Sequence, residues 1–187
     1  MPQHRTEREK MLAGEPYLIN DPELKAMRHS CYALLDQLNA TSNAAKAERQ
    51  EIFQKLFGSC GDNVNVKSTF RCDYGMNIHL GNDVFMNVEC VICDCAPVRI
   101  GDGTLIEPQV GIYAVTHPLD AEERAQGREW GEAITIGKNC WIGGHATINP
   151  GVTLGDNVVV GSGAVVTRSF PDNVLVAGVP ARIIREL

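Results

Sequence analysis

The chain has 187 residues, a net charge of −6 and 18 glycines, and only 6% of its residues are aromatic. The acidic balance argues against nucleic acid as the main partner. The sequence contains no run of about 18 apolar residues that would span a membrane and no secretory signal pattern. We therefore expect a soluble cytoplasmic protein, and the glycine content is typical of turn-rich β structure.

Residues 5–57 are predicted to be helical. Asp21 followed by Pro22 is a typical helix start, with an N-cap and a proline at the first helical position. Apolar residues then recur at helical spacing in two stripes: Leu24, Met27, Cys31, Leu34, Leu35 and Leu38, followed by Ile52, Phe53, Leu56 and Phe57. Gly58 is predicted to end the second helix as its C-cap. Because both stripes need a surface to pack against, residues 1–58 are interpreted as an N-terminal helical cap.

From residue 80 onward, aliphatic residues recur in steps of six. A two-residue insertion around Ala96-Pro97 and a longer interruption separate three runs: Leu80, Met86 and Ile92; Ile100, Ile106 and Ile112; Ile136, Ile142, Ile148, Leu154, Val160 and Val166. Short Gly, Asn and Asp turn signals follow several of these positions. This period is typical neither of a helix nor of a simple alternating strand, and it predicts a hexapeptide β-solenoid over residues 59–187.

The interruption lies between Ile112 and Ile136, where a charged segment replaces the repeat. The two residues are 24 positions apart, which is four whole repeats, so the register is kept and a loop over residues 113–133 is inserted. A solenoid gains no stability from such an insertion. We therefore interpret the loop as a functional segment.

Seven cysteines in a chain without a secretory signal favour free thiols in a reducing compartment. Cys90, Cys93 and Cys95 have spacing that suits a thiophilic metal, but no second Cys pair or nearby histidine completes a tetrahedron. Buried thiols are the preferred interpretation, and no metal is expected.

Four stretches of the chain carry a resemblance to a known family. TFRCDYGMNIHLG, THPLDAEERAQGREWGEAITIG, NCWIGGHATINPGVTLGDNVVVGSGAVVT and AGVPARIIREL together resemble the maltose and galactoside O-acetyltransferases, and are most similar to the maltose enzymes. The resemblance implies a mainly β fold, a left-handed parallel β-helix with an N-terminal helical cap. It also implies a homotrimer with active sites between subunits, acetyl-CoA as donor, and a hydroxyl of a sugar such as maltose or glucose as acceptor.

His117 matches the catalytic histidine of that family. Acetyl transfer from a thioester to an alcohol requires removal of the hydroxyl proton, and an imidazole that titrates near neutrality suits this step. His4, His29, His79 and His145 are interpreted as ordinary surface or structural histidines.

The resemblance also suggests the residues that bind the two substrates. The acetyl-CoA positions of the family fall on Asn87, Gly144, Ser162, Thr167, Arg168, Arg182 and Arg185. Arginines suit the phosphates of coenzyme A, and the backbone N–H of Gly144 suits an oxyanion. Trp141 is expected to pack either on the pantetheine arm of the donor or in the core or an interface.

On the acceptor side, Asp73 falls where the family contacts sugar, and Asp94 is a second candidate. Both residues have the alternative role of capping turns. Galactoside-type members carry an acid at the position of Cys95, so the thiol here favours the maltose-like branch.

Three other functions compete with sugar acetylation. A zinc-dependent γ-type carbonic anhydrase shares the solenoid but needs three imidazoles on one metal. A structural or ice-binding solenoid requires an uninterrupted flat face. A xenobiotic acetyltransferase acting on chloramphenicol-like alcohols stays closest to the proposed chemistry.

Overall fold

A computed structural model describes residues 5–187, so His4 lies outside the described residues. The helices are α1 (Glu7–Leu12), α2 (Pro22–Ala40), α3 (Lys46–Leu56) and α4 (Ala121–Ala125). The strands are β1 (Tyr17–Leu18), β2 (Ser59–Cys60), β3 (Asn65–Val66), β4 (Arg71–Cys72), β5 (Ile78–Leu80), β6 (Phe85–Met86), β7 (Val91–Cys93), β8 (Val98–Ile100), β9 (Leu105–Ile106), β10 (Gly111–Tyr113), β11 (Val115–Thr116), β12 (Arg128–Gly131), β13 (Ile134–Ile136), β14 (Trp141–Ile142), β15 (Thr147–Ile148), β16 (Thr153–Leu154), β17 (Val159–Val160), β18 (Val165–Val166), β19 (Val174–Ala177) and β20 (Arg182–Glu186). None of the helices within residues 5–187 has the length and apolar character needed to cross a membrane.

The helical segment begins as the sequence predicts. The side chain of Asp21 accepts hydrogen bonds from the N–H groups of Glu23 and Leu24, and Pro22 occupies the first helical position of α2. Between α1 and α2 the prediction of helix is wrong. Gly14 takes a left-handed backbone conformation, with φ of 70°, and the chain then forms the short strand β1.

The expected C-cap at Gly58 is also wrong. Helix α3 ends at Leu56, and Phe57 continues in an extended conformation as the cap. A Cβ on Gly58 would lie 2.1 Å from the carbonyl oxygen of Met76. Glycine is therefore required here because two backbone segments approach closely, and not because the helix turns left-handed.

The remaining strands form three flat walls, as expected of a parallel solenoid of about six turns. Wall I contains β4, β7, β10, β15 and β18, and wall II contains β2, β5, β8, β13 and β16. Wall III contains β3, β6, β9, β14, β17 and β19, with β20 added as an antiparallel edge strand. The mainly β solenoid with few helices is thereby confirmed.

Each wall directs one aliphatic side chain per strand into the core. In wall I, for example, Cys72, Ile92, Ile112, Ile148 and Val166 occupy successive paired positions and all are buried. The six-residue period of the sequence therefore reflects one inward residue per wall. Stacking these residues removes a continuous apolar column from water.

The turns between walls II and III are held by side-chain oxygens. Asn82 Oδ1 accepts the N–H of Asp62, Asp102 Oδ1 accepts that of Asn82, and Asp172 Oδ1 accepts that of Asp156. Short polar side chains are suited to this task because they reach the backbone N–H groups of the neighbouring coil. This explains the Gly-Asn-Asp and Gly-Asp-Asn signals in the sequence.

All the extra residues of the solenoid are inserted at one edge, between walls I and II. In wall I, Ile148 pairs with Val166, 18 residues later, whereas Cys72 pairs with Ile92, 20 residues later. Ile112 pairs with Ile148, 36 residues later. We call this edge the loop corner, defined by residues 73–77, 94–97 and 114–133. Two small insertions and one large insertion therefore lie next to each other.

The inserted loop is itself ordered by the N-terminal segment. Its strands β11 and β12 pair antiparallel, and β12 also pairs with β1, with Tyr17 opposite Glu129. The stripe on α2 divides accordingly. Cys31, Leu35 and Leu38 join the main solenoid core, whereas Leu24 joins a second apolar cluster. The second cluster also contains Met11, Tyr17, Tyr74 and Cys95.

Candidate active site

A cavity of about 340 Å³ opens at the loop corner. It is lined by residues from the N-terminal segment, the two small insertions and the large loop: Ile19, Arg28, Asp73, Tyr74, Cys93, Cys95, Val115, His117 and Glu129. A larger cavity, about 580 Å³, lies between α3 and residues 62–65 and contains none of the residues selected from the sequence. The polar side chains that can do chemistry converge in the smaller one.

His117 stands at the mouth of this cavity. It follows β11 directly, and Pro118 prevents further strand pairing after it. Its ring contacts two residues of β12: Nδ1 lies 3.4 Å from the carbonyl oxygen of Arg128, and Nε2 lies 3.6 Å from Glu129 Oε2. The side chain is 48% exposed. A half-exposed imidazole held on one side by a strand can reach a bound substrate.

Glu129 is held in the cavity by two buried donors. Its Oε1 accepts hydrogen bonds from the Tyr17 hydroxyl and from the Cys95 thiol, whose Sγ lies 3.7 Å away. Burial and the neighbouring negative charges raise the pKa of both the Tyr17 hydroxyl and the Cys95 thiol. Both groups therefore keep their protons and act as donors. The carboxylate is fixed at one oxygen and open at the other.

Asp73 faces the same cavity. Burial raises the pKa of its carboxyl group. Its Oδ2 lies 3.9 Å from Cys95 Sγ, and the adjacent Cys93 thiol has its pKa raised to about 12 by burial and by the charge of Asp73. Weak thiol donors leave most of the acceptor capacity of Asp73 available to a ligand.

Asp94 does not face the cavity, and direct contact with an acceptor does not fit its position. The residue is fully buried. Its Oδ1 accepts the N–H groups of Asp73 and Tyr74, at 3.0 Å and 2.8 Å, and its Oδ2 accepts that of Asn77 at 3.3 Å. Asp94 therefore fills the turn-capping role, because three backbone donors of the preceding turn need an acceptor away from water.

Arg28 provides positive charge in this otherwise acidic cavity. Its guanidinium group donates to the Tyr74 hydroxyl and to the carbonyl oxygen of Ile19, each at 2.6 Å. It also lies over the Tyr74 ring, 5.6 Å from the centroid. These contacts fix the guanidinium between α2 and the loop corner.

The residues expected to bind acetyl-CoA fall into three places. Asn87, Gly144 and Ser162 all lie in turns between walls III and I. The turns of Gly144 and Ser162 are adjacent, with the carbonyl oxygen of Gly144 accepting the N–H of Gly163, and the turn of residues 107–110 separates them from Asn87. Thr167 and Arg168 follow β18, on the same side of wall I as His117 but at a later turn of the solenoid. Arg168 stacks on Phe170, 5.3 Å from the ring centroid.

Arg182 and Arg185 lie on the edge strand β20. Arg182 pairs with Ala177 and Arg185 with Leu175, and a β-bulge lies between these pairs. Directly paired residues of antiparallel strands share a face, and β19 alternates with Val174 and Val176 buried. The bulge therefore places both arginines on the outer face of wall III, although they are three residues apart.

The other histidines lie away from the cavity. His145 occupies an exposed left-handed turn position, with φ of 59°, and His79 on wall II lies 3.1 Å from the Ser59 hydroxyl. His29 lies on the exposed face of α2. Trp141 is half exposed on wall III, and within residues 5–187 no group of three or more His, Cys, Asp or Glu side chains is arranged to hold a metal ion.

Tyr17, Arg28 and Glu129 were not selected from the sequence. Tyr17 lies in a segment predicted to be helical, and its contact with Glu129 spans 112 residues. Neither residue belongs to the hexapeptide repeat. The acidic, aromatic composition of REWGE in the inserted loop was the only local signal for Glu129.

Comparison with known protein families supports the assignment of the fold. Residues 10–61 match the maltose acetyltransferase hexapeptide capping motif, and residues 133–168 match the hexapeptide repeat of succinyl-transferase. A repeat solenoid that is interrupted by a histidine-bearing loop, and whose cap seals a polar cavity, defines an acyltransferase of the hexapeptide-repeat type.

Individual relatives are similar over nearly the whole chain. The galactoside O-acetyltransferase of Escherichia coli K12 is 38% identical over 96% of this chain and 88% of its own length. The structure of a maltose O-acetyltransferase from Clostridium difficile 630 is 44% identical and superposes with a TM-score of 0.96 over 98% of both chains. A hexapeptide-repeat acetyltransferase of Vibrio cholerae O1 biovar eltor, solved with acetyl-coenzyme A, is 37% identical, with a TM-score of 0.91 over 98% of this chain and 99% of its own. The chain belongs to the maltose and galactoside O-acetyltransferase family.

Proposed function

We propose that the protein transfers the acetyl group of acetyl-CoA to a hydroxyl group of a sugar such as glucose or maltose. The observation that carries this proposal is the position of His117. Its imidazole stands at the mouth of a polar cavity, between the solvent and side chains that suit hydroxyl groups. The complex of the Vibrio cholerae relative with acetyl-coenzyme A supports acetyl-CoA as the donor.

His117 is proposed as the general base. When Nδ1–H donates to the carbonyl oxygen of Arg128, Nε2 carries a lone pair directed toward the cavity. The acceptor oxygen attacks the thioester carbonyl carbon while its proton passes to Nε2. The tetrahedral intermediate then expels the CoA thiolate, which takes the proton back from the imidazolium, leaving an acetyl ester and CoA.

The backbone N–H of Gly144 is proposed to stabilise the oxyanion of the intermediate. This N–H makes no hydrogen bond within residues 5–187, whereas the neighbouring N–H of His145 bonds to the carbonyl oxygen of Pro108. An unpaired backbone donor on an exposed turn suits a developing negative charge. Ser162, in the next turn along the same edge, and Asn87, two turns earlier, are proposed to contact the donor along this edge.

The site is proposed to form between subunits of a homotrimer. The turns at Asn87, Gly144 and Ser162 lie on one side of wall I, and His117 lies on the other side. One chain therefore presents the base and the donor turns on different edges. A neighbouring chain that brings its donor turns against the loop corner would unite them.

An acceptor panel tests the proposed reaction. The protein is incubated with acetyl-CoA and glucose, maltose, a galactoside or chloramphenicol, and release of CoA thiol is followed. Glucose and maltose are expected to give turnover that depends on His117. Turnover with chloramphenicol alone would replace the sugar with a xenobiotic acceptor, and no thiol release with any acceptor would contradict the proposal.

A further inference from the structure

Two hydrogen-bond acceptor atoms face each other at the mouth of the cavity. They are His117 Nε2 and Glu129 Oε2, which lie 3.6 Å apart. When Nδ1 carries the ring proton and Glu129 is ionised, neither atom has a hydrogen to offer the other. Each of them can accept a hydrogen bond from a ligand that is bound in the cavity.

Glu129 is held for this role by its other oxygen. Oε1 is fully engaged by the Tyr17 hydroxyl and the Cys95 thiol, and both donors are buried. Oε2 makes no hydrogen bond within the described part of the chain, and the side chain keeps 11% of its surface exposed at the cavity. A carboxylate with one fixed oxygen and one free oxygen is prepared to bind a hydroxyl group in a defined direction.

We propose that Glu129 selects acceptors that carry a second hydroxyl group close to the reacting one. The reacting hydroxyl donates to His117 Nε2, and the second hydroxyl donates to Glu129 Oε2. Hydroxyl oxygens on neighbouring carbons in a staggered gauche arrangement lie about 3 Å apart. That separation matches two acceptor atoms 3.6 Å apart. The inference rests on the proposed function and narrows its acceptors to polyols, excluding isolated alcohols.

Tyr17 acts in this arrangement as a positioning residue. Its hydroxyl fixes Glu129 from strand β1, so the N-terminal segment shapes the acceptor site without touching the acceptor. Removal of Glu129 alone would leave the Tyr17 hydroxyl buried without an acceptor, which destabilises a fold. The test therefore uses the double variant Tyr17→Phe/Glu129→Met, which removes the hydroxyl and the carboxylate together and keeps their approximate volumes. The Cys95 thiol, a weak donor, keeps its contact with Asp73.

The experiment measures kcat/KM for glucose and for each of its monodeoxy derivatives. The acetylated position is first identified by NMR of the glucose product. In the parent, loss of one hydroxyl near that position is expected to lower kcat/KM by about 10- to 100-fold, the range for a hydrogen bond to a charged group. In Tyr17→Phe/Glu129→Met, kcat/KM for glucose is expected to fall to the value that the parent shows with that deoxy derivative. Loss of the same hydroxyl is then expected to lower kcat/KM of the double variant by less than about threefold.

Two further variants sharpen the comparison. Glu122→Gln removes a carboxylate from the exposed helix α4 of the same loop, and it should keep the full penalty for the missing hydroxyl. Glu129→Gln keeps the side-chain shape, but its amide oxygen must serve Tyr17 and its NH2 group then faces His117. Glu129→Gln should therefore show little difference in kcat/KM between glucose and the deoxy derivative.

Each alternative outcome is distinct. A uniform loss of kcat for all acceptors, with the deletion penalty retained in the double variant, would mean that Glu129 only orients the imidazole, and the proposal would be overturned. An equal parent rate with glucose and with every monodeoxy derivative that keeps the reacting hydroxyl would also overturn it, while leaving acetyl transfer intact. If the parent releases no thiol with any sugar, the proposed function fails and this inference fails with it.

Discussion

His117 is expected to contribute to the chemical step and not to the stability of the fold. The residue lies on the inserted loop, half exposed, and belongs to no core cluster of the described residues. His117→Ala should lower kcat by about 10²- to 10⁴-fold, the usual contribution of a positioned base. The KM values for both substrates should change little, because the imidazole acts mainly in the transition state.

Steady-state kinetics and thermal unfolding of the same preparation check this expectation. His29→Ala is a matched control, because His29 is an exposed histidine on α2, away from the cavity. The melting temperature of His117→Ala should remain close to that of the parent. A variant at 117 that retains activity within a few-fold of the parent would remove the imidazole from the mechanism.

Asp94 makes the stability of the protein depend on pH. Burial raises the pKa of this carboxyl group from 3.8 to about 6. The folded state therefore holds the proton more tightly than the unfolded state, and stability falls as pH rises from about 4 to 6. Asp94→Asn removes this dependence. The free energy of unfolding of the parent minus that of the variant should be about 3 kcal/mol larger at pH 3.5 than at pH 7.

Urea unfolding at a series of pH values measures that difference. Asp73 also has a raised pKa, but it is present in both proteins, so most of its effect cancels. The variant should be less stable at every pH, because an amide nitrogen cannot accept the N–H of Asn77. A parent-to-variant difference that stays constant with pH would show an unshifted pKa for Asp94, and one that grows toward neutrality would show a lowered pKa; either result would contradict the prediction.

Strand β20 is the element on which donor affinity is expected to depend. Its β-bulge places Arg182 and Arg185 together on the outer face of wall III, where they offer two positive charges in an acidic protein. Replacing both by Ala should raise the KM for acetyl-CoA by about 10-fold or more and change kcat much less.

The matched control for β20 removes two other exposed strand arginines. Arg71 and Arg99 lie on walls I and II, and Arg71→Ala/Arg99→Ala changes the net charge by the same amount. The KM for acetyl-CoA should increase only in the β20 variant, and the difference should shrink at high salt. Equal effects of the two pairs would indicate a response to net charge alone.

The sequence predicted well the elements that depend on a repeated pattern or on purely local bonds. One inward aliphatic residue per wall is enough to identify the solenoid, and Asp21-Pro22 marks the start of α2 through purely local bonds. Strand β1 could not be predicted, because it exists only through its pairing with β12, more than 100 residues away. A two-residue strand has no local pattern of its own.

The same contrast applies to the candidate site. His117 and Asp73 were selected from the sequence, and both line the cavity. Glu129 and Tyr17 acquire their roles only when the cap folds onto the loop corner and a hydrogen bond joins them. Asp94 was selected as a ligand residue, but its burial and its three backbone donors depend on the two small insertions stacking at one edge. Tertiary placement, and not residue type, decides these roles.

The chain as a whole separates the parts of the proposed site. The donor turns and the loop corner lie on opposite edges of wall I. The outer face of wall III also exposes apolar side chains in register, with Leu105 at 45% and Trp141 at 50%. Such a row favours contact with another protein surface or with the donor. A solution mass close to three times 20.4 kDa is expected, and a monomeric active species would contradict the trimer.

Mixing two inactive variants tests whether the site is shared between chains. His117→Ala removes the base, and Ser162→Trp places a bulky side chain on an exposed donor turn. Each variant alone should be nearly inactive. Co-expression of equal amounts of both variants gives mixed trimers. A site between neighbouring chains then combines an intact His117 from one chain with an intact Ser162 from the other in about one quarter of cases. Thiol release should therefore recover to about a quarter of the parent rate. A mixture of the separately purified variants, assayed directly after mixing so that subunit exchange is minimal, is the control. If every site were built within one chain, each site would carry one of the two defects, and the co-expressed trimers would remain as inactive as the separate variants.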